Sequence, residues 1–246
     1  MMDSVLKFYN DNKDCQNILP QLPENLSTLE KARWIMNNPE FGWVELDVDV
    51  DLEQWKIESH NIPQYLVHHR ETESNGWSSC CLHGIRTDAT QNWVEYVDEE
   101  TDETYKWTEL SSLVPNITEF WKNYPTEKFK RLRFMNLSSG GYIEQHSDAP
   151  GRGYLPNEPV DYDPLELGCP VNIAVVHPKD CHMVIEGKGI VPFEEGKMFL
   201  INIRRHHAVI NFSNQDRLHM IGFCVFGNRK EEFAELLVKS YERNQV

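Results

Sequence analysis

Two histidines and a carboxylate in the last hundred residues have the types and order to hold a metal ion. His146 and Asp148 flank Ser147, and His207 follows far along the chain. This is the ligand set of a non-haem Fe(II) oxygenase, a facial triad that leaves one side of the metal open. Residues two apart on a strand project from the same face, so His146 and Asp148 share one. His207 completes the set only if the fold returns there. Arg217 lies ten residues beyond His207, a suitable reach for a cation on the next strand. A keto acid that chelates iron at one end needs a cation at the other, and arginine offers a planar bidentate clamp.

His206 competes with His207, because neighbours on a strand face opposite ways and only one can be the ligand. His207 keeps the ten-residue step to Arg217 and is the preferred ligand. His219 lies two past Arg217 on the same strand face and is expected to line a pocket. His177 and His182 have no assigned role.

The elements that must position these residues are mostly strands. From residue 129 onward, short apolar runs alternate with turn residues: Arg131–Leu137, Tyr142–Asp148, Val171–His177, His182–Glu186, Ile190–Phe193, Met198–Ile203, His207–Phe212 and Leu218–Phe226. Ser138-Ser139-Gly140-Gly141 reads as the turn of a hairpin. Such spacing predicts a jelly roll. Glu231–Asn244 predicts a final amphipathic helix with Phe233, Leu236, Leu237 and Tyr241 on one face. In the first half, Ser27 and Glu30 form a capping box that starts a helix ended at Asn37-Asn38-Pro39. Leu113–Tyr124 has helical spacing. Val44–Val50 alternates like a strand, and Gln54–Ile62 is ambiguous. Tyr65–His68 and Trp77–Leu82 read as strands around a turn at Ser74-Asn75-Gly76, and residues 1–24 read as a loose lead-in. The expected organisation is one dioxygenase domain over 1–246: an N-terminal helical and strand extension over 1–128, a jelly-roll core over 129–227 and a C-terminal helix over 228–246.

The segment from Arg131 through Gly140-Gly141-Tyr142 to His146-Ser147-Asp148 resembles the first strands of the aspartyl/asparaginyl β-hydroxylase family of 2-oxoglutarate oxygenases. So do Val171-Asn172-Ile173-Ala174-Val175-Val176-His177-Pro178 and the stretch from Glu194 to Asn202 that runs on into His207 and Arg217. The resemblance covers about 129–227. It implies a mainly β fold with flanking helices, the double-stranded β-helix or cupin-like jelly roll. It also implies Fe(II) held by His146, Asp148 and His207, and 2-oxoglutarate held by Arg217, with O2 as co-substrate. Asn172 falls where the family places a polar contact to the metal-side carboxylate. The peptide hydroxylase that names the family lacks the carboxylate ligand, whereas this chain has Asp148. In that it looks more like bacterial members, some of which hydroxylate free amino acids such as proline.

The expected activity is hydroxylation of an amino-acid side chain, free or within a peptide or protein, of aspartyl/asparaginyl or prolyl type. The alternative is a non-catalytic cupin-like module that binds a metal or small molecule. Asp148 speaks against halogenation, which needs a small residue there to admit halide. Substrate walls are expected from the Gly- and Pro-rich loop Ala149–Gly168, read as a lid, and from Trp77–Arg86. Arg152, Arg86 and Arg204 are candidates to hold a substrate carboxylate. A net charge of −15 and a pI near 5.1 argue against nucleic acid or an anionic membrane as partner and favour a cationic or neutral substrate. No apolar run is long enough to span a membrane. The six cysteines contain no CxxC pair, so a reducing, cytoplasmic setting is expected.

Overall fold

The computed structural model describes residues 2–69, 74–101, 103–148, 163–167 and 169–245. Its strands are β1 (Trp43–Leu46), β2 (Val67–His68), β3 (Ser74–Gly84), β4 (Lys106–Trp107), β5 (Lys128–His146), β6 (Cys169–Val176), β7 (Cys181–Ile185), β8 (Gly189–Ile190), β9 (Met198–Ile201), β10 (His207–Asn211) and β11 (Arg217–Val225). Its helices are α1 (Met2–Asn12), α2 (Thr28–Asn37), α3 (Leu52–Ser59), α4 (Pro115–Asn123), α5 (Pro164–Leu167) and α6 (Lys230–Asn244).

The strands form one curled antiparallel sheet in the order β1-β9-β6-β11-β5-β10-β7-β8, with β3 on the free edge of β5 and β2 and β4 beside β3. β5 joins two layers. Its first half, Lys128–Leu137, pairs with β11, and its second half, through His146, pairs with β10. The result is a jelly-roll half-barrel with helices outside.

Side-chain alternation explains the layering. Leu132 and Phe134 of β5, Val171 and Ile173 of β6, and Met220 of β11 face outward and pack with Ile35, Trp55, Trp121, Phe233 and Leu237 of the helices. The intervening residues Met135, Leu137, Ala174, Phe199 and Ile201 face inward and meet Met183 and Val209 of the second layer. Both faces of the central strands are therefore covered, which is why these strands read as near-continuous apolar runs.

Three local expectations need correction. Residues 2–12 are a helix, not a loose lead-in: Val5 and Phe8 pack on Val184, Ala208 and Ile210. The apolar residues of this polar stretch, Met2, Val5, Leu6, Phe8 and Tyr9, span too few turns to show a clear periodicity. Ser74-Asn75-Gly76 is not a turn but the start of β3, with a bulge at Gly76 (φ 73°). Ser138–Gly141 makes no hairpin either. Between Leu137 and Tyr142, β5 advances five residues while β3 advances only from Asn75 to Trp77, so the segment bulges from a continuous strand. Gly140 has φ 69°, and a Cβ on Gly141 would lie 2.7 Å from Asn75 O. Glycine is required for this bend, and without pairing information a bend and a hairpin look alike.

Helices α2 and α4 are fixed by side-chain caps. Ser27 and Glu30 make the reciprocal capping box of α2. Helix α4 has no cap from its own N-cap residue, Val114. Instead Glu58, buried at the end of α3, accepts from Asn116 N (2.9 Å), Asn116 Nδ2 (2.6 Å) and Ile117 N (3.1 Å). Glu58→Ala should lower stability by about 1–3 kcal/mol, because buried donors lose their acceptor. Glu58→Gln should recover part of the loss. A urea midpoint unchanged in Glu58→Ala would show that the carboxylate does not hold the two helices together.

Candidate active site

The metal-type ligands come together where β5 ends and β10 begins. His146 is the last residue of β5, His207 the first of β10, and their Cα atoms are register partners. Asp148 is placed by its own N–H, which donates to Ile203 O at 2.9 Å. The ligand atoms of His146, Asp148 and His207 lie within 4.8 Å of one another. Asp148 Oδ2 is 3.7 Å from His146 Nε2 and 4.0 Å from His207 Nε2. The two Nδ1 atoms are tied to backbone carbonyls, His146 to Glu144 O at 2.7 Å and His207 to Arg205 O at 3.0 Å. That fixes the protons on Nδ1 and leaves both Nε2 lone pairs aimed at the centre, the usual support for a ligating histidine. Burial, then the neighbouring His146, pushes His207 down to about 4, so it is held as the neutral imidazole that binds metal. His206 turns to the other face, half-exposed, with Gln145 Nε2 at 3.3 Å and Glu186 at 3.7 Å.

The triad opens into a cavity of about 190 Å³. His146, Asp148 and His207 line one side, and Asn172 and Arg217 line the wall made by β6 and β11. Arg217 is 3 % exposed. Among the described residues no carboxylate lies within ion-pair distance of it. Its partner is His219, whose Nδ1 is 2.8 Å from a guanidinium nitrogen. Arginine only donates, so His219 Nδ1 accepts. The His219 proton then sits on Nε2 and donates to His177 Nδ1 at 2.9 Å. Asn172 Oδ1 stands 2.9 Å from the same His219 Nδ1; exchanging the amide oxygen and nitrogen turns this contact into a donor bond. Burial and then the Arg217 charge push His219 well below its ordinary value and His177 to about 4. The histidines that orient the arginine therefore stay neutral and add no repulsion to it.

These buried histidines have a consequence for stability. Their folded values lie below the ordinary 6.5, and burial against Trp107 and Phe129 likewise lowers His83 to about 4. Below pH 6.5 the unfolded chain takes up protons that the folded chain refuses. Stability is then full above about 6.5 and lost as pH falls toward 4. Urea midpoints measured from pH 7 to 4.5 should fall, and His83→Phe should flatten the slope. A slope unchanged by that substitution would show that His83 titrates normally.

Arg86 and Arg204 are not among the residues that line the cavity. Arg86 is exposed, 2.5 Å from Asp88 and over the Tyr96 ring. Arg204 donates to Asn202 Oδ1 and to Met36 O, tying the β9–β10 connection to α2. Arg152 and most of the expected lid, residues 149–162, lie outside the described residues. The end of that loop forms α5, which Asp163 ties to Arg33 at 2.7 Å and Glu166 to Lys230 at 2.8 Å. In place of Arg86 and Arg204 the cavity is lined by Arg131 and Arg133, with His69, Trp77 and Asn92. The sequence hid the two arginines: in Arg131-Leu132-Arg133-Phe134 the apolar pair reads as the core face and the arginines as solvated. Both faces are in fact covered.

A sequence profile of the family described as aspartyl/asparaginyl beta-hydroxylase matches residues 45–224. The chain belongs to the aspartyl/asparaginyl β-hydroxylase family. It is a hydroxylase of the 2-oxoglutarate-dependent dioxygenase class. The family match begins at residue 45, well before residue 129 where the motif resemblance starts, and so takes in β3 and two of the helices that back the sheet, α3 and α4. No curated protein sequence matches the chain. Among solved structures, a prolyl-4-hydroxylase from Pseudomonas putida is similar at 13% identity, covering 79% of this chain and 98% of its own, with TM-score 0.43. A prolyl hydroxylase from Trichoplax adhaerens, in complex with a hypoxia inducible factor oxygen degradation domain peptide fragment, is similar at 10% identity, covering 83% and 93%, with TM-score 0.44. The α-ketoglutarate-dependent carbocyclase SnoK from nogalamycin biosynthesis is similar at 17% identity, covering 84% and 87%, with TM-score 0.45. These likenesses are weak, and the family match carries the assignment. Among the described residues of this β-hydroxylase family member, no helix is long and apolar enough to cross a membrane.

Proposed function

We propose that this chain hydroxylates an amino-acid side chain, with Fe(II) held by His146, Asp148 and His207 and 2-oxoglutarate held by Arg217. One observation carries the reading. A guanidinium buried without an acid partner is unfavourable on its own, and this one shares a cavity with the triad. A dicarboxylate that reaches from the metal to Arg217 supplies the missing anion.

The donor set fits the metal: two neutral imidazoles and a carboxylate, with an open side toward the cavity. When bound, iron with 2-oxoglutarate and O2 supplies the oxidising power, and the products balance as hydroxylated substrate, succinate and CO2. The chain's own residues perform the rest. Arg205 O and Glu144 O hold the ligand rings, His219 and His177 hold the Arg217 fork, and Met135, Ile143, Ile201 and Val209 give the cavity an apolar lining. Asn172, which lines the cavity beside His219, is our candidate for a contact to the cosubstrate. Burial pushes the thiols of Cys80, Cys81 and Cys181 up, which keeps them unreactive and fits a reducing, cytoplasmic setting. The loop Ala149–Gly168 is our candidate for the lid.

The test is succinate formation by the purified chain with Fe(II), 2-oxoglutarate and ascorbate. Succinate that appears only with both iron and 2-oxoglutarate supports the reading. Its absence with metal bound would favour the non-catalytic cupin-like module.

A further inference from the structure

A second cavity, of about 480 Å³, lies on the outer side of the sheet. It is lined from three directions: by His83 at the end of β3, by Phe129 and Lys130 at the start of β5, and by Glu100 and Tyr105 of the segment before β4. It shares no lining residue with the cavity of the triad. Strand β5 separates the two. Arg131 and Arg133 line the triad side, whereas Lys130 follows the alternation of Leu132 and faces the other way.

One group in this second cavity lacks a partner. His83 is 9 % exposed, and its Nδ1 is buried without a hydrogen bond. Among the described residues, its Nε2 makes none either. The ring is held edge-on by Trp107 at 5.0 Å and Phe129 at 5.8 Å. Burial pushes it down to about 4, so it is neutral and has one proton to place. Orphaned buried N–H groups are rarer than orphaned acceptors. The proton therefore belongs on Nε2, and the bare nitrogen is the shut-off Nδ1. The cavity is left with an N–H that has no acceptor.

The charged lining is balanced. Glu100 accepts from the Tyr105 hydroxyl at 2.9 Å and from Lys130, 3.0 Å from one oxygen and 3.3 Å from the other. A carboxylate has about four acceptor sites, so Glu100 keeps room for one more donor. The set asks for an uncharged ligand that accepts from His83, donates to Glu100 and lays a flat body along Phe129.

We propose that this cavity is a second ligand site, apart from the triad, and that it takes a small planar amide, either an aryl carboxamide or a cyclic amide. The carbonyl accepts from His83 Nε2, the amide N–H donates to Glu100, and the ring packs on Phe129. No bond is made or broken there.

Benzamide is the probe. Saturation-transfer NMR on the metal-free wild-type chain should show it bound, and binding should persist when Mn²⁺ and 2-oxoglutarate are added. Benzoate lacks the N–H and brings a charge; N,N-dimethylbenzamide lacks the N–H alone. Each should bind at least about fivefold more weakly, because a hydrogen bond to a charged group is lost. His83→Phe should weaken benzamide by a similar factor, while Mn²⁺ binding and far-UV circular dichroism stay as in wild type. Should that variant fail to fold, nitrogen-15 NMR of the wild type takes its place: His83 should carry its proton on Nε2, and that signal should shift with benzamide. Displacement of benzamide by Mn²⁺ and 2-oxoglutarate would put it in the triad cavity and overturn the proposal. So would benzoate or the dimethyl amide binding as tightly as benzamide, full binding by His83→Phe, an unmoved His83 signal, or no binding to the wild type.

Discussion

Replacing Arg217 by methionine should stabilise the metal-free protein and remove its hold on 2-oxoglutarate. The two effects have one cause. The guanidinium is 3 % exposed and has His219 as its partner, and burial already pushes it below its ordinary value. Replacing a buried charge by an apolar side chain of similar volume is neutral or stabilising, by about 1–4 kcal/mol. Here no acid partner among the described residues is lost in the exchange, so the gain should be plain in urea unfolding of the apo protein. With 2-oxoglutarate bound the balance reverses. Truncating one member of a desolvated charge pair costs about 2–5 kcal/mol, so Arg217→Ala and Arg217→Met should raise the apparent 2-oxoglutarate requirement tenfold or more, each ~1.4 kcal/mol being a factor of ten. Lysine should rescue only in part, because it lacks the planar fork. A second readout needs no turnover. In wild type, 2-oxoglutarate with Mn²⁺ should raise the melting temperature by mass action, since ligand at 100 times its Kd adds about 2.7 kcal/mol. In the variants that increment should vanish. A 2-oxoglutarate requirement left unchanged in Arg217→Ala would move the assignment to another cation of the cavity wall.

How much of this was legible in the sequence depended on whether the pattern was local. Apart from the two that merge into β5, the strands of the second half have turn residues on both sides and emerge within two or three residues of their expected ends. The Ser27–Glu30 box marks α2 because both partners of the cap are three residues apart. The helix at Leu52–Ser59 was ambiguous, since its apolar residues make no single face and its last residues serve α4 through Glu58. The bulge at Ser138–Gly141 reads as a hairpin because only the register with β3 distinguishes the two. At the site, residue types and order suggested His146, Asp148, His207 and Arg217, and all four line one cavity. The end of the cavity lined by the first half of β5 was not legible. Arg131 and Arg133 look solvated until both faces of β5 are known to be covered, and His69 gives no signal, since its place depends on Ser79 and Thr90. Arg86 and Arg204 lie outside the cavity lining for the converse reason: proximity in sequence to a motif says nothing about which side of a loop the guanidinium takes.

His207→Ala should abolish iron-dependent turnover, and His206→Ala should leave most of it. The two residues are adjacent, equal in type and opposite in environment, so the comparison isolates position. His207 is 4 % exposed, has its Nδ1 on Arg205 O and its Nε2 4.0 Å from Asp148 Oδ2. His206 is half-exposed and faces Glu186 at 3.7 Å, a surface contact worth at most about 0–1 kcal/mol. Losing a residue that merely orients a ligand typically lowers metal affinity 10–100-fold; losing the ligand itself should lower it by at least as much. Equilibrium dialysis with Mn²⁺ should give one ion per chain for wild type and His206→Ala, and weak or no binding for His207→Ala. Asp148→Ala should behave like His207→Ala in the same assay, because the remaining imidazoles complete only two of the three positions. Both apo variants should keep their far-UV circular dichroism, since β10 is held by its ladders to β5 and β7 and not by the ring. Equal loss of metal from His206→Ala and His207→Ala would falsify the assignment of His207, and loss from His206→Ala alone would place the metal on the opposite face of β10, away from Arg217.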